Sequence, residues 1–205
     1  NFNCADASTN IVPWGILIGG EELHNNHHSF ATSAKLSNRW YEFDIGWMYI
    51  RILCALGLAR VKKVAPVPKI VAPRSEVDSA TLQAVIDNRY DVLARYAGSL
   101  KNLYREELAK FQDKASYKGL KRWLEVEVNQ IPDDWRKRLD ELLARSHSLA
   151  TLYAMRAELT AVWNRTNATR EQLVIDLQAW CHKAEASGIR QLQELSLRVR
   201  SYAVA

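Results

Sequence analysis

Cysteine is scarce in this chain and poorly placed for cross-linking. Three cysteines occur in 205 residues, Cys4, Cys54 and Cys181, with no Cys-x-x-Cys pair among them. Odd in number and far apart, they exclude a disulfide framework and a thiolate zinc site, and they fit a reducing compartment. Each thiol is expected to be small and buried. Long apolar runs are missing as well. The best, Ile11–Gly20 and Ile45–Ala59, are broken by Pro13 and glycines in the first and by Arg51 in the second. Neither supplies the roughly twenty apolar residues of a bilayer span. No secretory signal is visible and there is no initiator Met; the chain opens on Asn1-Phe2-Asn3. The expectation is a piece cut from a longer protein. Finally, acid is absent from residues 45–75, which hold Arg51, Arg60, Lys62, Lys63, Lys69 and Arg74. The net charge of +5 is therefore local, because residues 76–205 carry twenty Lys/Arg against eighteen Asp/Glu.

No alternating strand pattern and no repeat of fixed period is present, and the helical period recurs, so the fold class expected is all-α. Ile11, Trp14, Leu17 and Ile18 keep helical spacing, which predicts a helix over residues 11–28. Residues 29–42 are polar and read as a loop. Asp44 opens a second apolar stretch, Ile45 to Ala59, apolar nearly all round and so expected to be covered on most sides. Pro66, Pro68 and Pro73 among basic residues make 63–75 a linker. It separates residues 1–62 from a helical C-terminal extension, 76–205. There, Leu82 to Phe111 form one stripe. Pro132-Asp-Asp opens a helix, Leu149–Trp163 continues the period, Thr169 to Gln172 resembles a capping box, and Gly188 reads as a stop before a last helix, Ile189 to Tyr202.

What the chain does hold is His24-Asn25-Asn26-His27-His28. The only other histidines, His147 and His182, stand alone. On a helix, positions i, i+3 and i+4 share a face, so His24, His27 and His28 are candidate ligands of one metal. Three neutral imidazoles suit a catalytic zinc site, and equally part of an iron site. Spacing does not choose between them. Glu21 is a candidate to receive an N–H from a ligating ring. Asn25 and Asn26 read as hydrogen-bonding partners of the ligands or as turn residues.

The run Pro13-Trp-Gly-Ile-Leu-Ile-Gly-Gly-Glu-Glu-Leu-His-Asn-Asn-His-His, then Thr32-Ser-Ala-Lys-Leu-Ser and Trp40-Tyr-Glu-Phe-Asp-Ile-Gly-Trp, resembles the third histidine box and its sequel in bacterial membrane fatty-acyl Δ9 desaturases. The likeness extends over residues 1–72 and is densest over Trp14–Val64. Ala31 departs from it, standing where that family usually has proline. The resemblance implies two iron ions with His24, His27 and His28 as direct ligands, completed by histidines absent from this chain. It implies O2-dependent introduction of a cis double bond by the complete protein at the cytoplasmic face of a bacterial inner membrane, and an inactive fragment. The implied partners are a fatty-acyl substrate on CoA, carrier protein or phospholipid, a ferredoxin-type or flavin reductase electron donor, and membrane lipids.

Under that reading Arg51, Arg60, Lys62 and Lys63 face anionic headgroups or an acidic partner. No nucleic acid is expected, because no aromatic interleaving accompanies this basic stretch. The run Leu177 to Gln193 is similar to a helical tail of some bacterial desaturases, and weakly to C-terminal helices of certain transposases. Two rival functions stand beside the first. One is another histidine-box oxygenase, such as a hydroxylase. The other is a non-enzymatic all-α interaction module.

Overall fold

The computed structural model describes residues 8–67, 69–126 and 130–204. Cys4 and the Asn1-Phe2 end of the resemblance lie outside them. In chain order the helices are α1 (His24–Ser29), α2 (Ile45–Ala55), α3 (Ser79–Asp87), α4 (Arg89–Lys110), α5 (Asp133–Arg145), α6 (His147–Asn164), α7 (Arg170–Ala186) and α8 (Arg190–Arg200). The strands are two-residue pairings: β1 (Trp14–Gly15) with β2 (Phe43–Asp44), and β3 (Lys69–Ile70) with β4 (Tyr202–Ala203). The fold is all-α.

Short polar side chains start four of these helices. Asp44 accepts from the Trp47 amide at 2.8 Å, Asp78 from Thr81 at 2.6 Å, Ser146 from Leu149 at 3.2 Å and Thr169 from Gln172 at 3.2 Å. Each bond satisfies one of the orphan amides of a first turn. After α7 the backbone turns through Gly188 at φ +67°, a left-handed conformation that glycine adopts without steric penalty. At Asn88 the helical stretch expected over residues 79–115 is divided into α3 and α4, and the Asn88 side-chain amide donates back to Ala84 O at 2.8 Å.

The chain divides between residues 67 and 68 into two compact units. The larger is a helical bundle. Its core is Tyr96 and Leu100 of α4, Leu142 of α5, Leu149, Leu152 and Leu159 of α6, Leu177 of α7 and Leu192 of α8, all fully buried. Several of its buried polar groups find partners, since an unpaired one is costly. Tyr96 donates its hydroxyl to Leu152 O at 2.6 Å, and Trp180 its Nε1–H to Met155 O at 2.9 Å. Tyr202 donates to Asp91 at 2.6 Å, and Asp91 also pairs with Arg95 at 2.8 Å. Burial, with the Asp91 carboxylate beside it, pushes the Tyr202 hydroxyl up. Residues 69–74, inside the segment read as a linker, are bonded into this unit. Lys69 and Ile70 pair antiparallel with Ala203 and Tyr202, Val71 N donates to Ser201 O at 2.9 Å, and Arg74 N to Arg200 O at 3.2 Å.

The smaller unit holds the histidines and departs from the expectation of one helix over residues 11–28. Residues 14–15 form β1, parallel to β2; a 3-10 turn occupies Glu21–Leu23; only His24–Ser29 is α-helical. The reason lies in the glycines. Gly19 and Gly20 take φ +72° and +105°, and a Cβ on Gly15 would meet Gly20 Cα at 2.5 Å. The chain folds back on itself there rather than rising as a helix. Leu17 is consequently 87% exposed, and Ile11, Trp14 and Ile18 are exposed too. The second stretch does form a helix, α2, but no residue of it is buried. Its apolar circumference, expected to be covered, is at most half-buried, since the described residues of the smaller unit supply no second long helix to pack against it. Among the described residues no helix is long and apolar enough to cross a membrane.

Candidate metal site

α1 is six residues long, and its burial pattern is unusual. Asn25, Asn26 and Ser29 are the buried residues, and the helix contains no apolar residue at all. The inward face is therefore polar and the histidines turn outward. Asn25 donates to Ser8 O at 3.0 Å, and Ser29 Oγ to Asn25 O at 2.7 Å. Asn26 is held from two sides. Its backbone amide and Oδ1 form a reciprocal pair with the Asn10 side chain at 3.3 and 3.1 Å, and its Nδ2 donates to Glu42 Oε2 at 2.7 Å. The same Glu42 oxygen accepts from the amides of Asn38 at 2.6 Å and Arg39 at 2.9 Å.

Two other acids brace the loops around the turn. Buried Asp44 caps α2 and also accepts from the Leu36 and Ser37 amides at 2.7 and 3.1 Å. Glu22, likewise buried, accepts from Ile18 N at 3.0 Å and from Leu17 N. Burial alone would raise its carboxyl, but these backbone donors outweigh it and hold the group below its ordinary range. The other oxygen, Glu22 Oε2, is buried and meets no hydrogen-bond donor among the described residues.

The rings of His24 and His28 lie with centroids 4.4 Å apart, and those of His27 and His28 5.8 Å apart, edge to face. His24 and His28 line an open pocket of about 730 Å³ together with Glu21, Ser8, Thr9, Ile11 and Ile18. His27 contributes no wall to it. Glu21 Oε2 stands 3.8 Å from His24 Nδ1, beyond hydrogen-bond length but close enough for attraction. Among the described residues no three His, Cys, Asp or Glu side chains are set to hold an ion as they stand. Their chemistry nonetheless fits part of a metal shell: three imidazoles on one turn, two of them on a pocket wall beside a carboxylate. Arg51, Arg60, Lys62 and Lys63 are all exposed and stand apart from the pocket lining.

Sequence reasoning missed Glu42, Asp44 and Glu22 as the residues that hold this site. Their signal is faint. Each lies three to eight residues from the amides it binds, which in a loop gives no period to detect. It also missed a cationic-aromatic face on the larger unit. Arg122 lies over Trp123 and Trp135 at 4.5 and 5.3 Å, and Arg138 over Trp135 at 4.8 Å.

The geometry defines a two-part chain, a small histidine-bearing unit and a helical bundle. The family model described as Transposase matches residues 61–204, and over that stretch, more than half of its length, the chain belongs to this transposase family. Its curated relatives are of another kind. A sn-1 stearoyl-lipid 9-desaturase of Anabaena variabilis is 42% identical over 64 residues, 31% of this chain and 24% of the relative. A Delta-9 desaturase-like 2 protein of Arabidopsis thaliana is 48% identical over 54 residues, 26% of this chain and 18% of the relative. An icosanoyl-CoA 5-desaturase of Limnanthes douglasii is 45% identical over 58 residues, 28% of this chain and 16% of the relative. The chain thus spans a quarter or less of the length of these desaturases. No solved structure matches.

Proposed function

We propose that this chain is the C-terminal part of a membrane fatty-acyl desaturase, carrying the last histidine cluster of its di-iron centre. The observation that carries the reading is the turn itself, with buried asparagines inward and His24, His27 and His28 outward. These three would supply imidazoles to two iron ions, the remaining ligands coming from residues outside this chain. The bound metal would supply the activation of O2 needed to oxidise an unactivated methylene. The chain's own residues orient the ligands: Asn25 and Asn26 fix the helix, Glu21 attracts a proton on His24, and Ile11 and Ile18 give the pocket an apolar wall. We place the double bond at Δ9 and the acyl chain on CoA, a carrier protein or a phospholipid. The electrons would come from a ferredoxin-type or flavin reductase partner. Exposed α2, with Arg51, Arg60, Lys62 and Lys63, would lie toward anionic headgroups on the cytoplasmic side.

The test is reconstitution of the purified 205-residue chain with Fe(II) alone, read by titration calorimetry, against the triple variant His24→Ala, His27→Ala, His28→Ala. Saturable binding lost in the variant supports the reading; equal uptake by both overturns it. Lipid analysis of a host expressing the complete protein then separates desaturation from hydroxylation, a double bond against an alcohol.

A second reading is favoured by the match of residues 61–204 to the transposase family. In it the helical unit touches nucleic acid, with Arg122, Arg138 and the two tryptophans as cationic and stacking groups. Binding of duplex or single-stranded DNA that weakens steeply with salt, and is lost in Arg122→Glu, would support it. Salt-independent or absent binding would remove it.

A further inference from the structure

The histidine turn lacks the usual means of fixing a helix in place. Six residues are far below the length at which a helix is stable alone. The N-terminal end of α1 has no side-chain cap, its C-terminal end is closed by the Phe30 backbone N–H, and it contains no apolar residue to bury. Leu23, fully buried just before it, anchors one end only. What sets the rotation of α1, and hence the directions of its imidazoles, is polar. Asn26 lies one residue from His27 and two from both His24 and His28. It is gripped by Asn10 on one side and by Glu42 on the other.

We propose that Glu42 is a positioning residue for the histidine cluster, a carboxylate that clasps α1 to the loop of residues 38–42. The proposal rests on the metal reading above and deepens it. A single oxygen, Glu42 Oε2, receives three N–H donors: the Asn26 side chain at 2.7 Å and the Asn38 and Arg39 amides at 2.6 and 2.9 Å. The loop is closed a second time by Glu42 N donating to Arg39 O at 3.1 Å. Bonds to an ionised acceptor are the stronger kind, and three on one oxygen make the loop and the helix a single piece. Without the carboxylate, the two loop amides lose this acceptor and the Asn26 side chain keeps its bond to Asn10. The loop would loosen, α1 would turn, and the rings would leave the positions they hold here. Outer-shell groups of this type typically change metal affinity by about ten- to a hundredfold.

The experiment compares the 205-residue chain with Glu42→Ala, Glu42→Gln and Asn26→Ala. Two quantities are read: Fe(II) affinity by calorimetry, and hydrogen exchange of the Phe30 amide, which donates to Asn26 O at 3.0 Å. The Leu56 amide, at the end of α2, is the internal reference. Glu42→Ala is expected to weaken Fe(II) binding by about tenfold or more and to speed exchange at Phe30 by a similar factor, with Leu56 unchanged. Glu42→Gln keeps an acceptor oxygen in place and is expected to restore most of both. Exchange at Phe30 as slow in Glu42→Ala as in the unaltered chain overturns the proposal. If Glu42→Ala also frees Leu56, the unit has unfolded and Asn26→Ala decides, since it breaks the clasp while the carboxylate still caps residues 38 and 39. Unchanged Phe30 exchange in that variant overturns the proposal. If the unaltered chain takes up no iron, the affinities are read on the complete protein, where no uptake overturns the metal reading, and the exchange rates decide separately whether the clasp holds the turn.

Discussion

His27 and Cys181 show how differently two residues of potential chemical interest are treated by this chain. His27 is half exposed on the edge of a ring cluster, 5.8 Å from His28, and forms no part of the pocket wall. If it ligates iron, its removal opens the metal shell, and no nearby acid replaces it. His27→Ala in the complete protein should abolish double-bond formation, checked in the host's fatty-acid profile; product near the unaltered level would remove His27 from the ligands. Cys181 is fully buried in α7, and burial pushes its thiol up to about 11. Only about one thiol in a thousand is ionised at pH 8, and the thiolate is the reactive form. Alkylation at pH 8 should therefore mark half-buried Cys54 before Cys181, which reacts only on unfolding, as peptide mapping would show. The sequence made the histidines legible because three rare residues in five positions stand out against the whole composition. It left Glu42 unread because its meaning depends on where Asn26 and the amides of residues 38 and 39 lie in space.

Elements were legible in proportion to how local their causes are. Asp44 and Thr169 each act within three residues, and the starts of α2 and α7 are read from the chain alone; Asp78 and Ser146 act as locally but go unread. The helix expected over residues 11–28 failed because apolar spacing was weighed above Gly19 and Gly20, whose positive φ values end any helix there. Asp44 offers the sharpest test at this scale. It caps α2 and holds the Leu36 and Ser37 amides besides. Asp44→Ala removes the cap, worth about 1 kcal/mol, and strands two further donors. The amides of the first α2 turn, Trp47 above all, should exchange at least about fivefold faster. Asp44→Asn, which keeps an acceptor oxygen, should fall between the two; unchanged exchange in the alanine variant would show that the cap is not what starts α2.

For the molecule as a whole, composition announced a helical protein and a basic, proline-containing segment. It did not announce that the second half of that segment is structural. Lys69, Ile70, Val71 and Arg74 are bonded to residues 200–203, a partnership across more than a hundred residues that no local pattern encodes. A chain of residues 68–204 should therefore melt cooperatively, and one of residues 76–204 should melt lower by at least about 5 °C, given several lost hydrogen bonds at about 1 kcal/mol each. Circular dichroism at 222 nm measures both; equal midpoints would mean that the pairing adds nothing. Residues 61–204 match a transposase family, while the relatives named above are desaturases similar to 31% of the chain or less.

The pairing of β3 with β4 also closes the bundle into a loop: its first and last ordered strands are neighbours. A unit whose ends meet is indifferent to where its chain is cut, provided the cut falls in a surface turn. Joining its ends through a short glycine linker and reopening it at Thr166–Asn167, the exposed turn between α6 and α7, should yield a circular permutant with the same helical spectrum and a melting point within about 10 °C of the parent. By the same closure, such a bundle is transferable: set into a surface loop of another protein, it would divert the host chain outward and return it to nearly the point of departure. A permutant that fails to fold would show that the order of the helices, and not only their packing, is needed to build the bundle.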